Sequence, residues 1–131
     1  MNTLVNLDEF KREYGISDVW VTSDHHFCHA NIIKWCDRPF SSVEEMDEAM
    51  ILRWNDRVRA TDLVIHLGDF TLSSWPTAEK ILNRLQGHIA FLANNAHHDR
   101  RWLAEARSVS RVHYWSALTI LDMGKDEYPV T

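Results

Sequence analysis

The stretch Val19-Trp20-Val21-Thr22-Ser23-Asp24-His25-His26 decides the fold, because an apolar run breaks there into residues that can bind a metal. Its β-branched and aromatic residues predict a buried strand over 19–23. A second run of the same kind, over 62–67, ends in Gly68-Asp69. Parallel neighbouring strands would bring Asp24, His26 and Asp69 to one sheet edge, where open α/β sheets hold their sites. Two carboxylates and an imidazole suit a hard or borderline divalent metal such as Mn, Fe or Zn.

Length and composition indicate one globular domain. The chain has 131 residues, of which 45% are hydrophobic, so it can bury a sizeable core. A formal net charge of −5 argues against a broad nucleic-acid surface. No apolar run is long enough to span a membrane, and charged residues interrupt the first 13 positions too early for a signal peptide. With only two cysteines, the expected setting is cytoplasmic.

Helical and strand patterns alternate along the chain, which predicts an α/β fold. Ser42 and Glu45 form a capping box that starts the clearest helix. Helices are predicted over 7–14, 30–36, 42–58, 76–87 and 100–107, and further strands over 88–93, 112–114, 118–121 and 128–130. The late strands predict a second sheet that begins near residue 112.

The ordered motifs resemble those of the calcineurin-like metallophosphoesterases. Asp24-x-His26, Gly68-Asp69 and an Asn- and His-rich loop over 94–99 each follow a predicted strand. The residues between them resemble a small bacterial and phage subfamily, most clearly His26-Phe27-Cys28-His29-Ala30-Asn31-Ile32-Ile33, Arg38-Pro39-Phe40, Glu44-Glu45-Met46-Asp47, Trp54-Asn55 and His66-Leu67-Gly68-Asp69-Phe70. The resemblance runs from Val19 to about Asp99.

This resemblance implies a fold and an activity. The fold would be the N-terminal part of the family sandwich, in which helices flank mixed β-sheets. The activity would be phosphoester hydrolysis, with a phosphodiester as the expected bond, by a hydroxide that two metals activate. Asp24 and His26 would bind the first metal, Asp69 would bridge the two, and Asn95 would bind the second, with Mn, Fe, Zn or Ni as the candidate ions. The expected partner is a phosphorylated small molecule or a nucleotide.

Three further residues match family positions near the substrate pocket. His29 and Asn31 are candidates for substrate contact or for bracing the loop. Arg38 could bind a substrate phosphate bidentately or form a structural salt bridge.

The chain departs from the family in two places. Ala96 stands where the family has its catalytic histidine, so either the loop bulges by two residues and His98 is the catalytic residue, or the general acid is absent. The chain also stops at Thr131, before the family's C-terminal histidine motifs. We therefore expect residues 1–131 to form a single, C-terminally incomplete domain that retains ligands for one metal. Its apolar last strand would favour a homo-oligomer.

Other residues have plainer interpretations. His66 lies within a strand and is expected to be a buried, hydrogen-bonded histidine, and His25 to lie at the rim of the site. The six tryptophans are expected to pack in the core rather than to stack on bases. Two alternatives to an active enzyme stay open: a degenerate relative that binds a phosphorylated ligand without turnover, and an incomplete piece of a larger enzyme.

Overall fold

Helices and strands alternate along the computed structural model, which describes residues 4–92, 99–115 and 117–119. The strands are β1 (Leu4–Asn6), β2 (Val19–Thr22), β3 (Leu63–His66), β4 (His88–Leu92), β5 (Val112–Trp115) and β6 (Ala117–Thr119). The helices are α1 (Leu7–Tyr14), α2 (Asn31–Trp35), α3 (Val43–Arg57), α4 (Trp75–Leu82) and α5 (Arg100–Leu103), followed by a 3-10 helix over Glu105–Ser108.

The main sheet has four parallel strands in the order β2-β3-β4-β5. Val19 pairs with Leu63, Leu63 with His88, and Ile89 with Val112. All four residues of β3 are buried, as expected of a parallel strand with both faces covered. The predicted α/β fold is confirmed, with helices flanking a parallel sheet.

Each face of this sheet packs against its own hydrophobic cluster. One face contributes Val64 to a cluster with residues of α3, α4 and α5. The other face contributes Leu63 and Ile65 to a cluster with Phe10 of α1. The clusters hold β3 on both faces and β2 pairs with β3, so the carboxyl ends of the two strands lie side by side and support the loops described below.

Two helix boundaries follow directly from capping residues. α1 has the predicted bounds, and Gly15 ends it with a φ of 64° in the left-handed region, where glycine is favoured. At the start of α3 the Ser42 side chain accepts the N–H of Glu45. The Glu45 carboxylate, however, accepts the N–H of Ser41 and not that of Ser42, so the capping box closes one residue earlier than predicted.

The later elements differ from the sequence prediction. α4 ends at Leu82 instead of continuing to Gly87, and the helix predicted over 100–107 changes to 3-10 geometry at Glu105. The second sheet does not begin near residue 112: β5 is the fourth strand of the first sheet, where it pairs in parallel with β4.

The second sheet consists instead of β1 and β6, which also pair in parallel. Every strand pair in the described ranges is parallel, so the predicted mixed sheets are not seen there. The predicted strand over 128–130 lies outside the described residues. Among the helices that the structure describes, none combines the length and apolar character needed to cross a membrane.

Candidate metal centre

Asp24, His26 and Asp69 converge where β2 and β3 end. The loop after β2 carries the first two residues, and the loop after β3 carries the third. One donor atom from each lies within 4.8 Å of the others. The sequence placed these three side chains at one edge of the sheet, and the structure brings them together there.

The spacing of the donor atoms suits one divalent metal ion. His26 Nε2 lies 3.9 Å from Asp24 Oδ1 and 3.9 Å from Asp69 Oδ2. These distances are too long for hydrogen bonds but shorter than two metal–ligand bonds of about 2.1 Å placed end to end. Burial lowers the pKa of His26 although Asp69 opposes this shift, and the neutral imidazole is the form that binds a metal.

The backbone at these residues is strained. Asp24, His26 and Asp69 have φ values of 63°, 54° and 57°, in the left-handed region that L-residues rarely occupy. Such a residue costs of order 1–3 kcal/mol, and this kind of strain is concentrated at functional sites. Asp and His tolerate the conformation better than most residues, which is one reason they can stand here.

Hydrogen bonds between the two loops hold this conformation. The N–H of Asp24 donates to the Gly68 carbonyl and the N–H of His26 to the Asp69 carbonyl, both at 2.9 Å. The N–H of Phe27 continues the series by donating to the Phe70 carbonyl at 2.8 Å. The two loops therefore behave as one unit, so a shift of either ligand loop would disturb the other.

Arg38 clamps the first loop from outside. Its guanidinium donates through Nη1 to the carbonyl of His25 and through Nη2 to the carbonyl of Asp24, both at 2.8 Å. The predicted alternative of a structural salt bridge is replaced by this fork on two consecutive carbonyls. The fork geometry is specific to Arg, since a Lys ammonium offers no planar pair of donors.

Two histidines brace the same loop from the core. The N–H of Gly68 donates to His66 Nδ1 at 3.1 Å, which leaves the His66 proton on Nε2. Nε2 then donates to His25 Nδ1 at 3.0 Å. Burial holds the pKa of His66 well below its ordinary value and lowers that of His25 to about 4, so both rings are neutral. His66 is thus the buried structural residue predicted, whereas His25 points into the core and not along the rim.

Asp99 supports the second loop, a role that sequence reasoning missed. Its fully buried carboxylate accepts the N–H of Phe70 at 3.1 Å and that of Thr71 at 3.0 Å. Thr71 Oγ1 donates to the Phe27 carbonyl, and Trp102 Nε1 donates to the Thr71 carbonyl. The sequence signal for this role is the His98-Asp99 pair, for which the family resemblance implies a catalytic histidine and no structural aspartate.

The remaining predicted site residues have different outcomes. The His29 ring lies beside His26, with centroids 5.6 Å apart, and its Nδ1 is buried without a hydrogen-bond partner in the described part of the chain. Asn31 is exposed at the start of α2. Asn95 and His98 lie outside the described residues, so their predicted roles stay predictions.

A cavity of about 460 Å³ lies between β2 and α3 and adjoins the cluster at Asp24. Its volume falls in the range of small-molecule sites. Tryptophan and methionine side chains and three guanidinium groups contribute to its walls: Trp20, Trp54, Met50, Arg38, Arg53 and Arg57. Neither His26 nor Asp69 lines it, so the cavity opens beside the cluster and does not contain it.

Comparison with known proteins supports the fold and leaves the function open. No protein-family model matches the chain. The chain is 48% identical to the uncharacterized protein MJ1445 of Methanocaldococcus jannaschii over 84 residues, which cover 63% of this chain and 47% of that protein. The crystal structure of AQ665, a protein of unknown function from Aquifex aeolicus, matches with a TM-score of 0.53 and 21% identity, over 78% of this chain and 51% of that one. The chain therefore spans about half the length of both relatives.

Proposed function

We propose that this chain has the N-terminal part of a calcineurin-like metallophosphoesterase fold and is a phosphoesterase that depends on a divalent metal. The cluster of Asp24, His26 and Asp69 carries the proposal, because its donor atoms lie within 4.8 Å of one another on two coupled loops. The order of these residues along the chain and their positions after neighbouring parallel strands support the same assignment.

The chemistry of the donor set points to phosphoryl chemistry. Two carboxylates and one imidazole favour Mn²⁺, Fe²⁺ or Zn²⁺ over soft metals. Such an ion, when bound, supplies Lewis-acid stabilisation of charge on phosphoryl oxygens and lowers the pKa of a water nucleophile. Asp24 and His26 would hold the ion from the β2 side and Asp69 from the β3 side, and the left-handed backbone of all three fixes their directions.

The surrounding residues supply orientation. Arg38 and the His66–His25 pair hold the Asp24 loop, and Asp99 holds the loop that follows Asp69. His29 lies next to His26, where it can contact a substrate. We assign the substrate to the phosphorylated small molecules and nucleotides, with a phosphodiester as the expected bond.

Metal content and hydrolysis test the proposal on one sample. The purified chain is equilibrated with Mn²⁺, its metal is counted by mass spectrometry, and Mn²⁺-stimulated hydrolysis of an aryl phosphodiester is followed by absorbance. We expect Asp69→Asn to lose both bound metal and turnover. Asp56→Asn, an exposed carboxylate on α3, is the matched control and should change neither.

The outcomes separate the alternatives. Bound metal with turnover supports the enzyme. Bound metal without turnover, together with phosphate binding, would replace the enzyme with a protein that binds a phosphorylated ligand. A wild-type chain that binds no Mn²⁺, or an Asp69→Asn chain that binds it as well as wild type, would refute the metal site itself.

A further inference from the structure

Trp35 is unlike the buried tryptophans of this chain. Its side chain is 70% exposed, whereas Trp54, Trp102 and Trp115 are 6%, 0% and 4% exposed. The prediction that all six tryptophans pack in the core is therefore wrong for Trp35, and also for Trp20, which is 36% exposed. A single exposed apolar residue would need no explanation by itself. The position of this one beside the metal cluster is what sets it apart.

A row of rings connects Trp35 to the cluster. The Trp35 ring lies edge-on to His29, with centroids 5.3 Å apart and an angle of 89° between the planes. His29 in turn lies 5.6 Å from His26, a member of the metal cluster. An edge-on contact occupies one edge or one face of the indole, so a face of Trp35 stays open to solvent next to the site.

This open face suits a flat partner. Because the ring of His29 lies 5.3 Å from that of Trp35 and 5.6 Å from that of His26, the Trp35 and His26 rings are at most about 11 Å apart. One nucleotide, whose ribose separates its phosphate from its base, can reach both. An exposed ring face binds by stacking, which every nucleobase can match because each has a π-face. An aliphatic group would gain less there, because an open ring face gives it no stacking partner, and Trp35 does not line the large cavity.

We propose that Trp35 is a stacking platform for the base of a nucleotide whose phosphate binds at Asp24, His26 and Asp69. This inference rests on the proposed metal site and narrows its substrate to nucleotide phosphoesters. Trp35 then determines specificity and takes no part in the chemistry. His29, which lies between the two subsites, holds the indole in place by its edge contact.

Binding in the presence of Mn²⁺ tests the platform without requiring turnover. Adenosine 5′-monophosphate and ribose 5-phosphate differ only in the base, and calorimetry gives the dissociation constant of each. Base–aromatic stacking is worth about 1–3 kcal/mol, so Trp35→Ala should weaken adenosine monophosphate binding by roughly tenfold, equivalent to about 1.4 kcal/mol. Binding of ribose 5-phosphate should change by less than about twofold.

Two further variants distinguish stacking from apolar contact. Trp35→Phe keeps a ring face and should retain most of the preference for the nucleotide. Trp35→Leu keeps apolar bulk without a ring and should behave like Trp35→Ala. Because the side chain is largely exposed, we expect all three variants to fold, and circular dichroism checks this.

Several results would overturn the proposal, and they can be told apart from failure of the metal site. If the wild-type chain binds Mn²⁺ but shows no preference for the nucleotide, the platform is wrong and the metal site stands. Equal losses for both probes in Trp35→Ala would mean a structural role only. If the chain binds no Mn²⁺, and its binding of the nucleotide does not depend on Trp35, both proposals fail. A dimer that dissociates in Trp35→Ala, with no nucleotide effect, would make this surface a self-association site instead.

Discussion

Asp99→Ala should destabilise the fold strongly, because it leaves two buried donors without acceptors. The Asp99 carboxylate is fully buried and accepts the N–H groups of Phe70 and Thr71 at 3.1 and 3.0 Å. Phe70 and Thr71 are buried as well, so water cannot replace the lost acceptor. Each orphaned buried donor costs about 1–3 kcal/mol, and we expect the free energy of unfolding to fall by about 2–4 kcal/mol.

The same geometry predicts a mild effect for Asp99→Asn. Oδ1 accepts both N–H groups, and Oδ2 also accepts that of Phe70, at 3.2 Å. An amide oxygen in the place of Oδ1 therefore keeps one bond to each N–H group and loses only the shared bond at Oδ2. Burial raises the pKa of Asp99, although the bonds from Thr71 and Phe70 oppose the shift. A raised folded-state pKa stabilises the fold below the unfolded value near 4, and this stabilisation is lost as the pH rises through the folded value. Removing the charge therefore offsets the weaker hydrogen bonds, and we expect a change within about 1 kcal/mol at pH 7.

Urea unfolding at pH 7, followed by circular dichroism, measures both variants. Asp56→Ala on the exposed face of α3 is the control for loss of a carboxylate, and it should change the free energy of unfolding by less than about 0.5 kcal/mol. If Asp99→Ala is no worse than this control, the carboxylate does not hold the loop as described. If Asp99→Asn is as harmful as Asp99→Ala, the charge and not the acceptor oxygen is what matters, and the reasoning fails.

Three further predictions follow from other contacts. Arg38→Ala, which frees the carbonyls of the Asp24 loop, should weaken Mn²⁺ binding by about 10–100-fold in a calorimetric titration. Arg12→Ala, an exposed control on α1 that does not line the cavity, should change it less than about twofold. Burial lowers the pKa of His113 to about 4, so this residue binds more protons in the unfolded chain between about pH 6.5 and 4. It should contribute about 1 kcal/mol, after allowance for solvent screening, to the loss of stability between pH 7 and 5, in addition to the losses from His25 and His66. His113→Gln should reduce the pH dependence of urea unfolding by that amount, and an unchanged pH dependence would contradict the assignment. β2 is an edge strand of the main sheet and its Val21 is exposed, so two copies of the chain could pair along it. Val21→Lys should reduce such self-association in sedimentation runs, and equal association of the variant and the wild type would contradict this.

The sequence was sufficient for the elements whose signals are local. The capping residues of α1 and α3 and the apolar runs of β2 and β3 lie within the segments they define, so their bounds and their parallel pairing could be predicted. The sheet that β5 joins is set by its pairing with β4, which lies about 20 residues earlier in the chain, and no local pattern encodes that pairing. β1 has three residues, too few for a periodic signal. β6 overlaps the strand predicted over 118–121, but its pairing with β1 joins the two ends of the described chain and could not be predicted.

The candidate site divides in the same way. Asp24, His26 and Asp69 could be predicted because each follows a strand that its own sequence defines. The supports could not, because they act across the fold: Arg38 is 14 residues from the Asp24 carbonyl it binds, and Asp99 is 29 residues from Phe70. Residue type predicted burial for Trp35, but a five-residue helix buries only part of its surface and leaves this ring outside.

The left-handed backbone at the cluster depends on the hydrogen bonds that surround it. Three left-handed residues at the cluster cost several kcal/mol together. Four sets of contacts hold backbone groups of these loops. They are the bonds between the two loops, the fork of Arg38, the His66 ring that accepts the Gly68 N–H, and the Asp99 carboxylate. Conformations of this kind persist only where the surroundings over-determine them. The affinity of the cluster for a metal should therefore depend on these supporting residues, which would not touch the ion, as well as on the three residues that would hold it.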